Sequence, residues 1–326
     1  MLRYSADLRT IAFVSTYYAL IAMTITVALP GWSYFPLMAV LCFLSFFCAV
    51  ITHNTVHVPI FRSRVLNQVF QVLLTPTYGH PVSMFVPGHN LSHHKYMQTP
   101  KDRMRTDKMR FRWNLLNQLF FNFAVGPAIF KDNAAYVRLM KERRPRWYRQ
   151  FLVELAFYVV FLVGTIAAMI ASWGLMGGMI RWVVFVFIPH QYAVWGISGI
   201  NFVQHDGCDP EHRYNHSRNF TGKLVNWFTF NNGFHGVHHL KPTLHWSLAP
   251  EAHEKEMVPN MDPRLNHTAL LPYLIRQYIT PGKRMRYDGT PVVLGPNRPD
   301  EDWVGILERQ TAAEVQTEEA EYGAIA

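Results

Sequence analysis

Nine of the sixteen histidines fall in four short groups, spaced as ligands on a helix face would be. His53 and His57 bracket HNTVH, four residues apart, so on a helix both lie on one face. HNLSHH over 89–94 repeats that pair with His89 and His93 and adds His94. HGVHH over 235–239 sets His235 three and four residues before His238 and His239. Asn201 and His205 are again four apart. Neutral imidazole suits iron, zinc, copper and nickel. One zinc ion takes three or four ligands. Eight or nine imidazoles are too many for one first-row ion and suit a pair.

The remaining histidines, His80, His190, His212, His216, His245, His253 and His267, read as hydrogen-bonded or exposed. His190 stands apart because it lies in an apolar stretch, where an ionisable group is costly. His253-Glu254 does not open a metalloprotease motif, since Met257 holds the place of the second histidine. Cys42, Cys48 and Cys208 form no CxxC pair, which removes zinc-ribbon and redox-motif readings. Asp102, Asp107, Asp206, Asp209 and Glu211 lie near the groups, where carboxylates can hold the second nitrogen of a ligating histidine, with solvated loop charges as the alternative.

These groups need elements to hold them, and composition points to a membrane. Half of the residues are hydrophobic and only 16% are charged, against roughly 25% in an average soluble domain. A spanning helix needs about 20 mostly apolar residues. Residues 11–29, 35–51, 151–172 and 179–200 supply four such stretches, paired as two hairpins through turns at Pro30-Gly31 and at Gly174, Gly177 and Gly178. The fold class expected is therefore all-α integral membrane. Residues 65–86 and 115–130 are apolar but interrupted by polar groups, and read as interfacial or re-entrant helices.

The segment from Arg62 to Arg149 holds 16 of the 31 Lys and Arg residues, and the two short turns hold none. The positive-inside rule then puts that segment, both termini and the residues after 200 in the cytoplasm. Trp32, Tyr34, Trp173 and Trp182 fall near the outer interface. All four histidine groups fall on the cytoplasmic face of this topology, as a histidine-rich cap. The net charge of +9 is explained by this placement, and no nucleic-acid module is present. The basic stretches 101–112 and 138–149 read as positive-inside contact with an anionic leaflet, with a lipid headgroup or acyl carrier as the alternative. Residues 1–297 form the membrane domain. Residues 298–326 form an acidic tail, weakly ordered or a short surface helix.

With these motifs in hand, the chain resembles the membrane fatty acid desaturase family from about residue 35 to 260. The resemblance rests on HNTVH, HNLSHH with the following KYMQTPKD, and NNGFHGVHHLKPTLHW. It implies two iron ions, with dioxygen as co-substrate. It implies nine ligands: His53, His57, His89, His93, His94, His205, His235, His238 and His239. Asn201 matches the asparagine that contacts an iron through water. His80-Pro81 is followed by Val82, so the haem motif of a fused cytochrome is missing. Electrons are then expected from a separate carrier, a ferredoxin or a b-type cytochrome with its reductase. The reaction implied is desaturation of a lipid acyl chain. A hydroxylase or ketolase of lipids, alkanes or carotenoids is the alternative, because both outcomes use the same ligands. A non-catalytic metal transporter is disfavoured, since transporter sites lie near the bilayer midplane.

Overall fold

Long apolar runs leave the backbone little choice but to satisfy itself, and the chain is mostly helical. The computed structural model describes residues 1–310 and, beyond them, 313, 314, 317 and 321. The helices are α1 (Asp7–Thr26), α2 (Tyr34–His57), α3 (Arg64–Tyr78), α4 (Asn114–Arg143), α5 (Pro145–Trp182), α6 (Ile188–His205), α7 (Lys223–Phe228), α8 (His235–Leu240), α9 (Ala249–Ala252), α10 (Leu270–Leu274) and α11 (Val304–Arg309). A π-helix spans Pro87–His94. Two-residue strands β1 (Asn219–Phe220) and β2 (Asn266–His267) pair in parallel. The chain divides into two units: Met1–Phe85 with Arg144–Ile197, and Val86–Arg143 with Ser198–Ala326.

Among the described residues, three helical runs are long and apolar enough to cross a membrane: Asp7–Thr26, Gly31–His57, and the run from Pro145 that continues through α6 to His205. The third is 61 residues long, but it is not one rod. Gly174 sits at φ 72° and ψ 169°, a conformation open to glycine, and the helix breaks there. Trp182 Nε1 then donates to Thr165 Oγ1 at 3.2 Å across seventeen residues. A straight helix would separate these residues by about 25 Å, so the chain reverses. A Cβ on Gly178 would lie 2.5 Å from Ile170 Cα, which fixes glycine at this close approach. Within α5 the chain thus reverses near Gly174, where the φ/ψ leave the helical region. Val160 is 66% exposed and Val163 60%, so the apolar surface of α5 faces outward rather than into a core.

In the unit Met1–Phe85 with Arg144–Ile197, several buried polar side chains are paired. Tyr17 OH donates to Pro76 O at 3.0 Å, so it accepts from His190 Nε2 at 2.8 Å. Glu154 accepts from Ser83 N at 2.8 Å and Ser83 Oγ at 3.0 Å. His190 is thus a hydrogen-bonded interior residue. Residues 65–86, expected as one interfacial or re-entrant helix, form α3, which ends at Gly79 (φ 88°), and a separate 3-10 turn at Val82–Met84. Val65, Leu66, Val69 and Leu73 line the exposed side of α3, and Asn67, Phe70, Gln71 and Leu74 its buried side. Asn67 fastens the helix start: its Oδ1 accepts from Phe61 N and its Nδ2 donates to Phe61 O, both at 2.9 Å.

In the second unit, α4 runs on through Pro127 to Arg143, beyond the residue 130 limit expected from sequence. Asn117 grips Phe111 N at 2.8 Å and Phe111 O at 3.0 Å, as Asn67 grips Phe61. Phe121 and Val125 of α4 pack with Phe202 and Val203 of α6 and with Phe220, Tyr273 and Tyr278. A second apolar cluster joins Cys208, Phe234, Val237, Met257 and Leu265. The segment expected to be a separate acidic tail begins differently. Residues 298–309 lie in this unit, with Trp303 1% exposed and α11 following it. The expected helix or weak order further along, at 311, 312, 315, 316, 318–320 and 322–326, falls outside the described residues.

Candidate metal centre

The histidines stand on short elements whose opposite sides are packed. Phe202 and Val203 bury the last turn of α6, and that turn carries His205. Val237 is buried between His235 and His238, which fixes α8 in rotation. Gly236 N donates to Asn219 Oδ1 at 2.8 Å. A Cβ at Gly236 would come within 2.4 Å of Met257 Cε, so α8 sits tightly on its support.

Of the three histidine boxes HNTVH (one), HNLSHH (two) and HGVHH (three), box two depends on the π-helix. At 3.6 residues per turn, five residues advance to about 140° around the axis, which would turn His94 away from His89. The i→i+5 pattern of a π-helix brings the fifth residue back beside the first. His89 Nε2 and His94 Nε2 are accordingly 3.1 Å apart. His93 shares the face, and its ring centroid is 5.7 Å from that of His89.

Two sets of nitrogens result in this unit. In the first, His93, His205, His235 and His239 bring their ligand atoms within 4.8 Å of one another. His205 Nε2 lies 3.2 Å from His93 Nε2, 3.1 Å from His239 Nε2 and 2.9 Å from His235 Nε2. An imidazole nitrogen offers one proton or one lone pair. It cannot satisfy three such neighbours by hydrogen bonding. Four lone pairs directed at one cation can all be satisfied, and at metal–nitrogen distances of about 2.1 Å right-angled neighbours stand roughly 3 Å apart. Burial, and then the neighbouring imidazoles, hold the pKa of His239 well below the usual range, so it stays neutral. The donor set fits a first-row metal ion.

The second set contains His89, His94 and His238, with His238 Nε2 3.0 Å from His94 Nε2. His53 and His57 belong to the first unit. They lie buried on the last turn of α2, with ring centroids 5.4 Å apart. The continuation of that helix through His57 gives box one its common face. Asn201 is buried one turn before His205, and its Nδ2 has no hydrogen-bond partner among the described residues.

Outer groups fix which nitrogen faces inward. Asp102 Oδ2 stands 3.0 Å from His93 Nδ1, and both residues are fully buried. His205 Nδ1 donates to His216 O at 3.1 Å. Each bond holds the proton on Nδ1 and leaves the Nε2 lone pair free for a metal. Of the five carboxylates near the boxes, Asp102 alone is held against a ligand histidine. Asp206 pairs with Arg284, Asp107 with Arg105 and Arg298, and Asp209 accepts from Glu211 N. The role of His216 carries no side-chain signal, because the group used is its carbonyl.

Asp102→Asn is expected to weaken metal binding by about 10–100-fold, the usual cost of losing an outer-shell partner. Asp102 also accepts from Gln98 N at 2.9 Å and Met104 N at 2.7 Å. An asparagine must present its NH₂ to one of these donors and also loses the negative charge. Metal titration of the purified variant checks this, and unchanged affinity would count against the role.

Seven clustered imidazoles, together with helices long and apolar enough to span a bilayer, define a membrane protein with a polyhistidine centre able to hold metal. The family model for fatty acid desaturase matches residues 30–269, and the chain belongs to that family. Membership implies an oxidoreductase of a generally iron-dependent kind, acting on lipid. Comparison with curated proteins returns no match.

Proposed function

We propose that this protein desaturates a lipid acyl chain at a di-iron centre with nine histidine ligands, using dioxygen. The observation that carries the reading is His205 Nε2, with three other imidazole nitrogens within 3.2 Å. His93, His205, His235 and His239 would hold one iron. His89, His94 and His238 would supply ligands to the other, and the family pattern adds His53 and His57 to make the nine. Asn201 would reach an iron through water, in keeping with its unpartnered Nδ2. When bound, such a pair supplies the oxidising power to remove hydrogen from an unactivated CH₂ group. The protein's own part is placement. Asp102 and the His216 carbonyl keep Nδ1 of His93 and His205 protonated, and the buried imidazoles exclude water.

Four spans in two hairpins, with the boxes and both termini cytoplasmic, complete the reading. It draws support from the chain reversal at Gly174 and the clustering of basic residues between 62 and 149. α3 and α4 would lie along the cytoplasmic leaflet. Electrons come from a separate carrier, a ferredoxin or a b-type cytochrome with its reductase.

The test is expression in a lipid-producing host with product analysis by mass spectrometry, beside iron determination on purified protein. New double bonds in the acyl chains and about two irons per chain are expected. Hydroxyl or keto products would replace desaturation with oxygen insertion. Zinc alone, with unchanged lipids, would overturn the reading.

A further inference from the structure

The loop 98–108 does two jobs at once. Its inner side carries Asp102, and Ser92 Oγ of the π-helix donates to Lys101 O at 2.8 Å. Its outer side is held by the C-terminal segment. Glu301 N donates to Pro100 O at 3.0 Å, and Arg103 Nη1 donates to Glu301 O at 2.7 Å. Arg105 Nη2 donates to Arg298 O at 2.6 Å and to Asp300 Oδ1 at 3.0 Å. Lys108 Nζ reaches Asp300 Oδ2 at 2.9 Å. Behind this, Asp132 of α4 accepts from both Arg103 and the Trp303 indole.

Arg103, which is next to Asp102 in sequence, is 5% exposed, and Trp303 is 1% exposed. This is an interior joint. Arg143 closes the far end by donating to Leu307 O at 2.7 Å and Gln310 O at 2.8 Å. An acidic, tail-like sequence has been folded into the support of a ligand loop.

We propose that Arg298–Arg309 is a positioning clamp for the His93 metal set: by fixing the loop 98–108 it holds Asp102 against His93 Nδ1. The proposal rests on the metal reading above, and it assigns the segment a selective effect. Loosening the clamp weakens the set containing His93 and spares the set containing His89, His94 and His238, none of which touches Asp102.

The experiment uses the full chain in detergent with two mild variants, Asp300→Asn and Trp303→Phe. The first removes the charge facing Arg105 and Lys108. The second keeps a buried ring and removes the indole N–H. Two readouts are taken: ferrous-ion titration of the apoprotein, and limited trypsin cleavage at Lys101, Arg103, Arg105 and Lys108 in the metal-free state. The wild type should bind in two steps and resist cleavage. Each variant should keep one step and weaken the other about tenfold, within the range for outer-shell losses. The weakened step should be the one that Asp102→Asn weakens, and cleavage in the loop should quicken. Variants with unchanged titration, or with both steps weakened equally, overturn the clamp. A wild type that binds no metal overturns the metal reading instead, while the trypsin readout still reports whether the segment holds the loop.

Discussion

His205→Ala should abolish product formation and remove the metal bound by its set. The reason is position. His205 Nε2 is the common neighbour of His93, His235 and His239, while those three come from two separate elements, the π-helix and α8. Alanine deletes one ligand and leaves the other three with no shared fourth partner. It also orphans the His216 carbonyl in a buried place. The loss should exceed the roughly 10–100-fold typical of an outer-shell partner, and product should fall below detection. His212→Ala is the control: His212 is exposed, and its ring only accepts from Tyr214 N and Asn215 N in a turn. It should retain near wild-type product. Lipid analysis and metal determination on both variants check the pair. Normal product from His205→Ala would remove that histidine from the centre.

Arg284→Met should cause the largest loss of stability. Arg284 Nε faces both carboxylate oxygens of Asp206 at 2.8 and 3.0 Å. Its Nη1 donates to Met109 O at 2.6 Å and its Nη2 to Thr106 O at 2.9 Å. The side chains are 8% and 2% exposed. Methionine fills much of the space but leaves Asp206 as a buried charge without its partner, a change that costs about 3–5 kcal/mol. At about 2–4 °C per kcal/mol for a large domain, the melting temperature should fall by roughly 6–20 °C. Asp206→Asn added to Arg284→Met should recover part of that loss, because it removes the stranded charge. Thermal melting in detergent reads both, and a shift below about 2 °C in the single variant would show the pair to be solvated rather than structural.

The sequence announces what repeats by composition and period. Apolar runs reveal α1, α2 and the halves of α5, and glycine marks the reversal between them. The histidine groups are visible by type alone. Geometry that depends on an irregular backbone is not visible. His89 and His93 read naturally as an α-helical pair, yet it is the π-helix that brings His94 beside His89. Nothing in the spacing separates Asp102 from Asp206, since both are buried and both lie near a histidine. Only the fold shows that Arg284 has already claimed Asp206. The acidic composition after residue 298 suggests a solvated tail because it carries few apolar side chains. Trp303, Val304 and Leu307 are nevertheless buried, and the Trp303 indole donates to Asp132 of α4, a partner 171 residues earlier that local composition does not reveal. Pro127 suggests an end to α4, and the helix passes through it.

The two asparagine clasps carry a wider consequence. Residues 61–70 read FRSRVLNQVF and residues 111–120 read FRWNLLNQLF, agreeing at six of ten positions. In each, the asparagine seventh in the stretch grips both backbone groups of the phenylalanine first in the stretch. One stretch opens a 15-residue helix and the other a 30-residue helix. The same short phrase thus writes the same beginning in front of different endings. How a helix starts here is a portable local instruction, separable from how long the helix becomes.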